Sequence, residues 1–462
     1  MQYKEQIHNY VEIHREEIIT TLKELIKIPS VRGEALTCAP FGKACADVLE
    51  YTQKLYSENG FETELNQNSG YLLSYYGEGE KTLGIFAHAD VVPVSNDWIY
   101  TNPFEPMEKD GFLIGRGVLD DKSAVVASLY CAKMLKELNI PFNSTLVCFT
   151  GGNEESGMQD VKNYIKEHTI PDFSLVADTA FPIFRGNKGR ITFSIKSKLP
   201  SGASISGGPG ASVIGEAIAA LPFDQTLFDK LLKHCNERIS AEHDNSVITV
   251  RAKGIPKHSA LPEGSLSAAS LLTEALKETQ ETVFEDIYNM SACHYGEYFG
   301  IECNDSEFGK LTCVLTKLTT QSDGTVTADF NIRYGTSVSK DAIIKKITDK
   351  VKEINWSAPE VGGFSIPHSL PSDNTYVKKL LEVYSEFTND KNSASYINAG
   401  GTYRQYLKNA AEIGITLIWG CPDGLPQGHG AVHQSDECIN INGFLQAIEL
   451  TMHMLLECDK EI

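Results

Sequence analysis

The chain has 462 residues, 42% of them hydrophobic, which supports two or three folded units with sizeable cores and excludes collagen-like, mucin-like and wholly disordered organisation. Its 61 acidic and 41 basic residues leave a formal charge of −20, a surface that repels phosphate backbones and anionic headgroups, so neither nucleic acid nor membrane is an expected partner. The eleven cysteines are scattered, odd in number and never spaced as C-x-x-C, as reduced thiols in a cytoplasm would be.

Met1 to Ile28 interleaves Glu and Lys, with no apolar stretch or small-residue cleavage site of a secretory signal. Ile7, Val11, Ile18, Ile19, Leu22, Leu25 and Ile26 recur at helical spacing there, which predicts one amphipathic helix ending at Pro29-Ser30. From Tyr71 to about Phe149 short apolar strands, Thr82–Ala87 and Ser144–Phe149, flank a helix expected over Ala124–Leu138; strands alternating with helices predict an α/β sheet. Beyond Pro182 the chain turns Ser-, Gly- and Lys-rich and mixes strands with helices, until the Gly- and Pro-rich stretch from Val361 to Pro371 and a helix over Asn374–Phe387. The expectation is a mixed-sheet α/β catalytic domain (1–183 and 371–462) interrupted by an inserted α+β lid domain (184–370). No apolar run approaches the about 18 residues of a membrane span.

Chemistry-bearing residues cluster outside the insert. His88-Ala89-Asp90 closes the strand that begins near Thr82, and strand alternation puts His88 and Asp90 on one face, where a carboxylate can fix the tautomer of a metal-binding imidazole. Taken alone, such a pair is more often a structural hydrogen bond. Gly115-Arg116-Gly117 followed by Asp120-Asp121-Lys122 offers adjacent carboxylates, but taken alone it is more often a turn with a helix N-cap. Glu154-Glu155 lies in a Gly-bounded loop after an apolar strand, so one carboxylate can hold a metal while the other stays free as a base; a solvated acidic loop is the plain alternative. Asp178 and His433 complete a set of two histidines and several carboxylates, the nitrogen and oxygen donors a two-metal hydrolytic site requires.

In this order the motifs resemble the signature of the M20 metallopeptidases: His88-Ala89-Asp90, Gly115-Arg116-Gly117, Asp120-Asp121-Lys122, Glu154-Glu155-Ser156-Gly157, Asp178 with Phe181-Pro182, and His433. Ile28-Pro29-Ser30-Val31, Trp98, Pro103-Phe104 and Lys257-His258-Ser259 through Gly264 extend the likeness over almost the whole chain. Length and insert are most similar to the PepV-type, carnosinase-like or Xaa-His dipeptidases. The resemblance implies two divalent metal ions, zinc or in some members manganese, bridged by Asp120, with Glu155 and His433 on one and His88 and Asp178 on the other. Glu154 would be the general base and Asp90 would orient His88. His258 would donate to the developing oxyanion, Arg333 would clamp the substrate's free carboxylate, and Arg404 would contact substrate. A monomer is expected, because so large an insert can supply contacts that shorter relatives take from a partner.

Three departures from the family pattern touch substrate handling and spare the metal ligands. Ser123 replaces a Gly after Asp-Asp-Lys, the stretch around Ser206 lacks a substrate-contacting Asn, and in Gly400-Gly401-Thr402-Tyr403-Arg404-Gln405 the Arg sits one position early. The expected function is metal-dependent hydrolysis of unblocked dipeptides. Its rivals are an N-acyl amino acid deacylase of the acetylornithine or succinyl-diaminopimelate type and a non-catalytic binding protein on a hydrolase scaffold.

Overall fold

The computed structural model describes residues 1–244 and 246–462. These form two compact units, Met1–Gly186 with Ser369–Ile462, and Asn187–His368. The chain therefore crosses at 186/187 and 368/369, not at 183/184 and 370/371. The reason is local: the Leu370 amide donates to the Arg185 carbonyl at 2.8 Å, and Leu370 is part of the hydrophobic core of the first unit.

The first unit is built on a mixed sheet whose neighbouring strands are, in order, Glu62–Asn66, Tyr71–Tyr76, Thr145–Gly151, Thr82–His88, Phe173–Thr179 and Ala410–Gly414. The last four run parallel to one another, and the first two are antiparallel to their neighbours. Central strands such as Thr82–His88 and Thr145–Gly151 are buried almost throughout, as continuous apolar runs in a helix-covered parallel sheet must be. Helices Lys122–Glu137 and Ile441–Glu461 supply much of that cover, and nearly every residue of Lys122–Glu137 is buried. The N-terminal segment makes two helices, Lys4–Ile13 and Arg15–Ile26, where the apolar spacing predicted one. His14 breaks the run: its backbone leaves helical geometry (φ −94°, ψ 8°), and its ring Nδ1 lies 2.9 Å from the Tyr10 carbonyl.

The second unit is an eight-stranded antiparallel sheet with Gly189–Lys198, Thr325–Tyr334 and Thr312–Thr320 side by side near one end. Helices Ala268–Leu276, Thr282–Ala292 and Lys340–Glu353 share its separate apolar core.

Candidate metal centre

Parallel strands all end at one edge of the sheet, and side chains just beyond their carboxyl ends converge there. His88 is the last residue of Thr82–His88, Glu154 and Glu155 follow Thr145–Gly151, and Asp178 is the penultimate residue of Phe173–Thr179. Asp120 comes from the turn that precedes helix Lys122–Glu137, and His433 from the long loop after Ala410–Gly414. Asp120 stands between the two histidines. Its Oδ1 lies 2.9 Å from His88 Nε2 and its Oδ2 lies 2.9 Å from His433 Nε2. On the His433 side, Glu155 Oε2 is 3.2 Å from the same Nε2; on the His88 side, Asp178 Oδ1 is 3.8 Å from His88 Nε2. Two sets of ligand atoms are compact enough to share an ion: His88, Asp120 and Glu155, and His88, Glu154 and Asp178.

The electrostatics fit a cationic guest. Glu154 Oε1 and Glu155 Oε1 are buried without a hydrogen-bond partner, and His88 Nε2 and Asp120 Oδ1, though 2.9 Å apart, are not aligned as a hydrogen bond, which is costly unless something else satisfies them. Burial and then the Asp178 charge push the Glu154 carboxyl well above its ordinary range, and burial with Asp120 lifts Glu155 to about 7. Burial alone would lower the histidines, but Asp120, Asp178 and Asp90 raise His88, while Asp120 and Glu155 raise His433 to about 10. The cluster thus seeks positive charge wherever a proton can be placed, and its nitrogen and carboxylate donors suit zinc or manganese.

A second set of buried groups fixes these ligands. His88 Nδ1 lies 3.0 Å from the Asp90 carbonyl, whereas the nearer Asp90 carboxylate oxygen is 3.5 Å away. The Asp90 carboxylate instead accepts the amides of Glu154 (2.9 Å) and Glu155 (3.2 Å). It orients the glutamate loop with its side chain and His88 with its main chain, and it stands beyond the strand instead of sharing a strand face with His88. Glu437, fully buried, accepts the amides of Leu119 (2.8 Å) and Asp120 (3.0 Å) and pairs with Arg116 at 2.5 Å. Arg116 also donates to the His433 carbonyl at 3.3 Å. Asp436 accepts from the amides of Ile99 and Tyr100 and lies 2.7 Å from His429 Nδ1, so His429 is a bracing residue of this loop. Asp160 accepts from the Asn153 amide and from the Tyr403 hydroxyl. Sequence reading missed Arg116, Glu437, Asp436 and Asp160 as individual functional residues. The only hint was that Arg116 falls within a motif quoted for its neighbours.

Arg404, the expected substrate contact, is turned into the protein interior. It is 1% exposed, and its guanidinium donates to the carbonyls of Ala410, at 2.9 Å, and Arg185. A motif cannot reveal that its Arg points inward. Ser123 lies in the first turn of helix Lys122–Glu137, where no positive φ is needed and glycine is dispensable. Ser206 is exposed on strand Ser204–Gly207 of the second unit. In that unit His258 is exposed, and the Ala260 amide donates to its Nδ1 at 3.3 Å. Arg333 lies near the end of Thr325–Tyr334, 7% exposed, its Nε donating to Asn331 Oδ1 at 3.1 Å.

Residues 84–457 match the model of peptidase family M20/M25/M40. A Bacillus subtilis (strain 168) protein named "Putative dipeptidase YtjP" is 28% identical over 476 residues, covering 96% of this chain and 98% of its own. A Staphylococcus epidermidis protein named "Putative dipeptidase" is 24% identical, covering 98% of each. Among solved structures, human carnosine dipeptidase 1 superposes with a TM-score of 0.63 at 14% identity, covering 100% of this chain and 99% of the other. Dug1p, a di-peptidase from Saccharomyces cerevisiae, gives 0.60 at 15%, with the same coverage. These structural likenesses speak to the fold, which is the mixed α/β architecture expected, while the family match spans most of the chain and includes all five proposed metal ligands. The chain belongs to peptidase family M20/M25/M40.

Proposed function

We propose that the protein is a cytoplasmic, monomeric, PepV-like dipeptidase that hydrolyses unblocked dipeptides with two divalent metal ions, zinc in preference to manganese. The observation that carries the reading is Asp120, whose two oxygens each stand 2.9 Å from a different histidine and so can serve two ions at once. The dipeptidase names of the relatives support the substrate class, and eleven free cysteines suit a reducing compartment. Among the described residues no helix is long and apolar enough to cross a membrane.

His88 and Asp178 would hold one ion, Glu155 and His433 the other, with Asp120 shared. Bound divalent cations supply Lewis acidity toward a carbonyl and lower the pKa of water. Glu154 takes a proton from the attacking water and delivers it to the leaving amine; a carboxyl whose proton affinity burial has raised is suited to both halves of that transfer. Asp90, by holding both glutamate amides, keeps Glu154 aimed while Glu155 serves the metal. Arg333 receives the substrate carboxylate and His258 donates to the developing oxyanion, a contribution of a few kcal/mol in comparable sites.

The test is metal-dependent turnover. Chelator-stripped protein is resupplied with zinc or manganese and offered unblocked dipeptides beside matched N-acetyl and N-succinyl amino acids. Release of free amino acid from the dipeptides alone is expected. Turnover of the acylated compounds alone moves the assignment to a deacylase, and no turnover with either metal moves it to a binding protein.

A further inference from the structure

Three adjacent strands of the second unit place polar side chains in one row. Thr312 pairs with Arg333, and Arg333 pairs with Arg190, in antiparallel register. Directly opposed residues project from the same face of a sheet. The next row, Cys313, Ile332 and Ile191, faces the apolar core, so the Thr312–Arg333–Arg190 row faces away from it. Lys188 precedes Gly189–Lys198 and reaches across to donate to the Lys310 carbonyl at 2.7 Å, two residues before Thr312.

Like charges opposed on a sheet repel, and partial burial makes that repulsion more costly. Burial and then the Arg190 charge lower Arg333 to about 10, and burial and then Arg333 lower Lys188. Among the described residues no carboxylate forms an ion pair with Lys188, Arg190 or Arg333. The acidic neighbour in electrostatic reach of Lys188, Asp305, is taken up by the amides of Glu307, Phe308 and Ser337 and by the Ser337 hydroxyl. The Thr312 Oγ1, in a residue 3% exposed, has no hydrogen-bond partner. On a chain of net charge −20, an uncompensated cationic row beside an orphaned hydroxyl is what a site for an anion looks like before its ligand arrives.

We infer that Lys188 and Thr312 complete, with Arg333, a carboxylate-binding site, in which Lys188 is a specificity-determining residue for the free C-terminal carboxylate of the substrate. The assignment rests on the dipeptidase reading for the identity of the ligand. Arg333 offers the planar fork, Lys188 adds a point charge with donors to spare beyond Lys310, and Thr312 offers its hydroxyl hydrogen.

Two measurements on the full-length, metal-loaded protein test it. The first compares kcat/KM for Ala-Leu with that for its C-terminal amide. The wild type favours the acid at least 100-fold. Lys188→Met narrows that ratio about tenfold, mainly through KM for the acid, Thr312→Val narrows it severalfold, and Lys188→Arg largely restores it. An unchanged ratio in folded Lys188→Met protein, or an equal loss on both substrates, overturns the assignment. The second measurement needs no turnover: calorimetric titration with leucine and with leucinamide. Leucine binds at least tenfold more tightly to the wild type, and the gap narrows in Lys188→Met; equal affinities in the wild type overturn the site. If leucine is preferred but no dipeptide is hydrolysed, the dipeptidase reading falls and the carboxylate site stands.

Discussion

Glu154 and Glu155 are chain neighbours with different proposed tasks, and a single carboxylate holds the amides of both. Asp90 accepts both amides, which fixes the loop so that Glu155 meets His433 while Glu154 stays off that pair. Replacing Glu154 with Ala removes the proton carrier and leaves His88, Asp120, Glu155, Asp178 and His433 in place. Turnover should fall by about 10²–10⁴-fold, while zinc affinity, measured by competition with a chromogenic chelator, changes by less than about threefold. A variant that retains turnover overturns the role of Glu154. Of the proposed ligands, His88, Glu155 and Asp178 stand out in the sequence because each sits at or just beyond a strand end, where a polar residue breaks the apolar run before it, whereas Asp120 and His433 lie in a turn and a long loop. Arg404 shows the opposite case: the motif names the residue, but burial decides what its guanidinium can touch.

At the scale of elements, the Arg116–Glu437 pair ties the turn carrying Asp120 to the loop carrying His433. Both side chains are almost fully buried, so removing one leaves the other's charge unpaired, at a cost of about 3–5 kcal/mol. Arg116→Met should lower the unfolding free energy by that order and weaken zinc binding about 10–100-fold, as loss of a group supporting metal ligands does. Chelator competition and denaturant unfolding read the two effects separately. If affinity is unchanged while stability drops, the brace serves only the fold. This pair was illegible from sequence because its partners are 321 residues apart, and neither has a local pattern that names the other. The strands were legible for the converse reason: apolar runs bounded by Gly and charge are local signals, as was the helix that begins at Thr375. The break at His14 was not, since the apolar spacing continues through it.

Across the whole molecule, the C-terminal helix Ile441–Glu461 is a main support of the first unit. Asp459, near its end, accepts the amides of Asn143 and Ser144 and the Ser144 hydroxyl, and so anchors the start of strand Thr145–Gly151. Asp459→Ala should cost about 2–4 kcal/mol in denaturant unfolding, since charge-assisted bonds to buried donors are lost together. His453 of the same helix is 2% exposed with an unpartnered Nε2, and burial lowers its pKa to about 4. Folding therefore favours the neutral ring. The stability this residue permits is complete above the unfolded value near 6.5 and is lost as pH falls toward about 4, a change of order 3 kcal/mol. Unfolding curves from pH 7.5 to pH 4.5 should show that decline, and His453→Leu should flatten it; an equally steep decline in the variant would assign the effect to other groups.

The split of the first unit around residues 187–368 also sets an order of events on the ribosome. His88, Asp120, Glu155 and Asp178 emerge early, and the whole second unit is synthesised before Ala410–Gly414, His433 and Glu437 appear. At roughly 5–20 residues per second, several seconds separate the end of the second unit from His433. A nascent chain stalled in that interval has Asp120 without its second histidine and without the Glu437 acceptor for its amide. Metal capture by all five proposed ligands thus waits for the synthesis of His433, and a chain ending before 433 would hold four of those five.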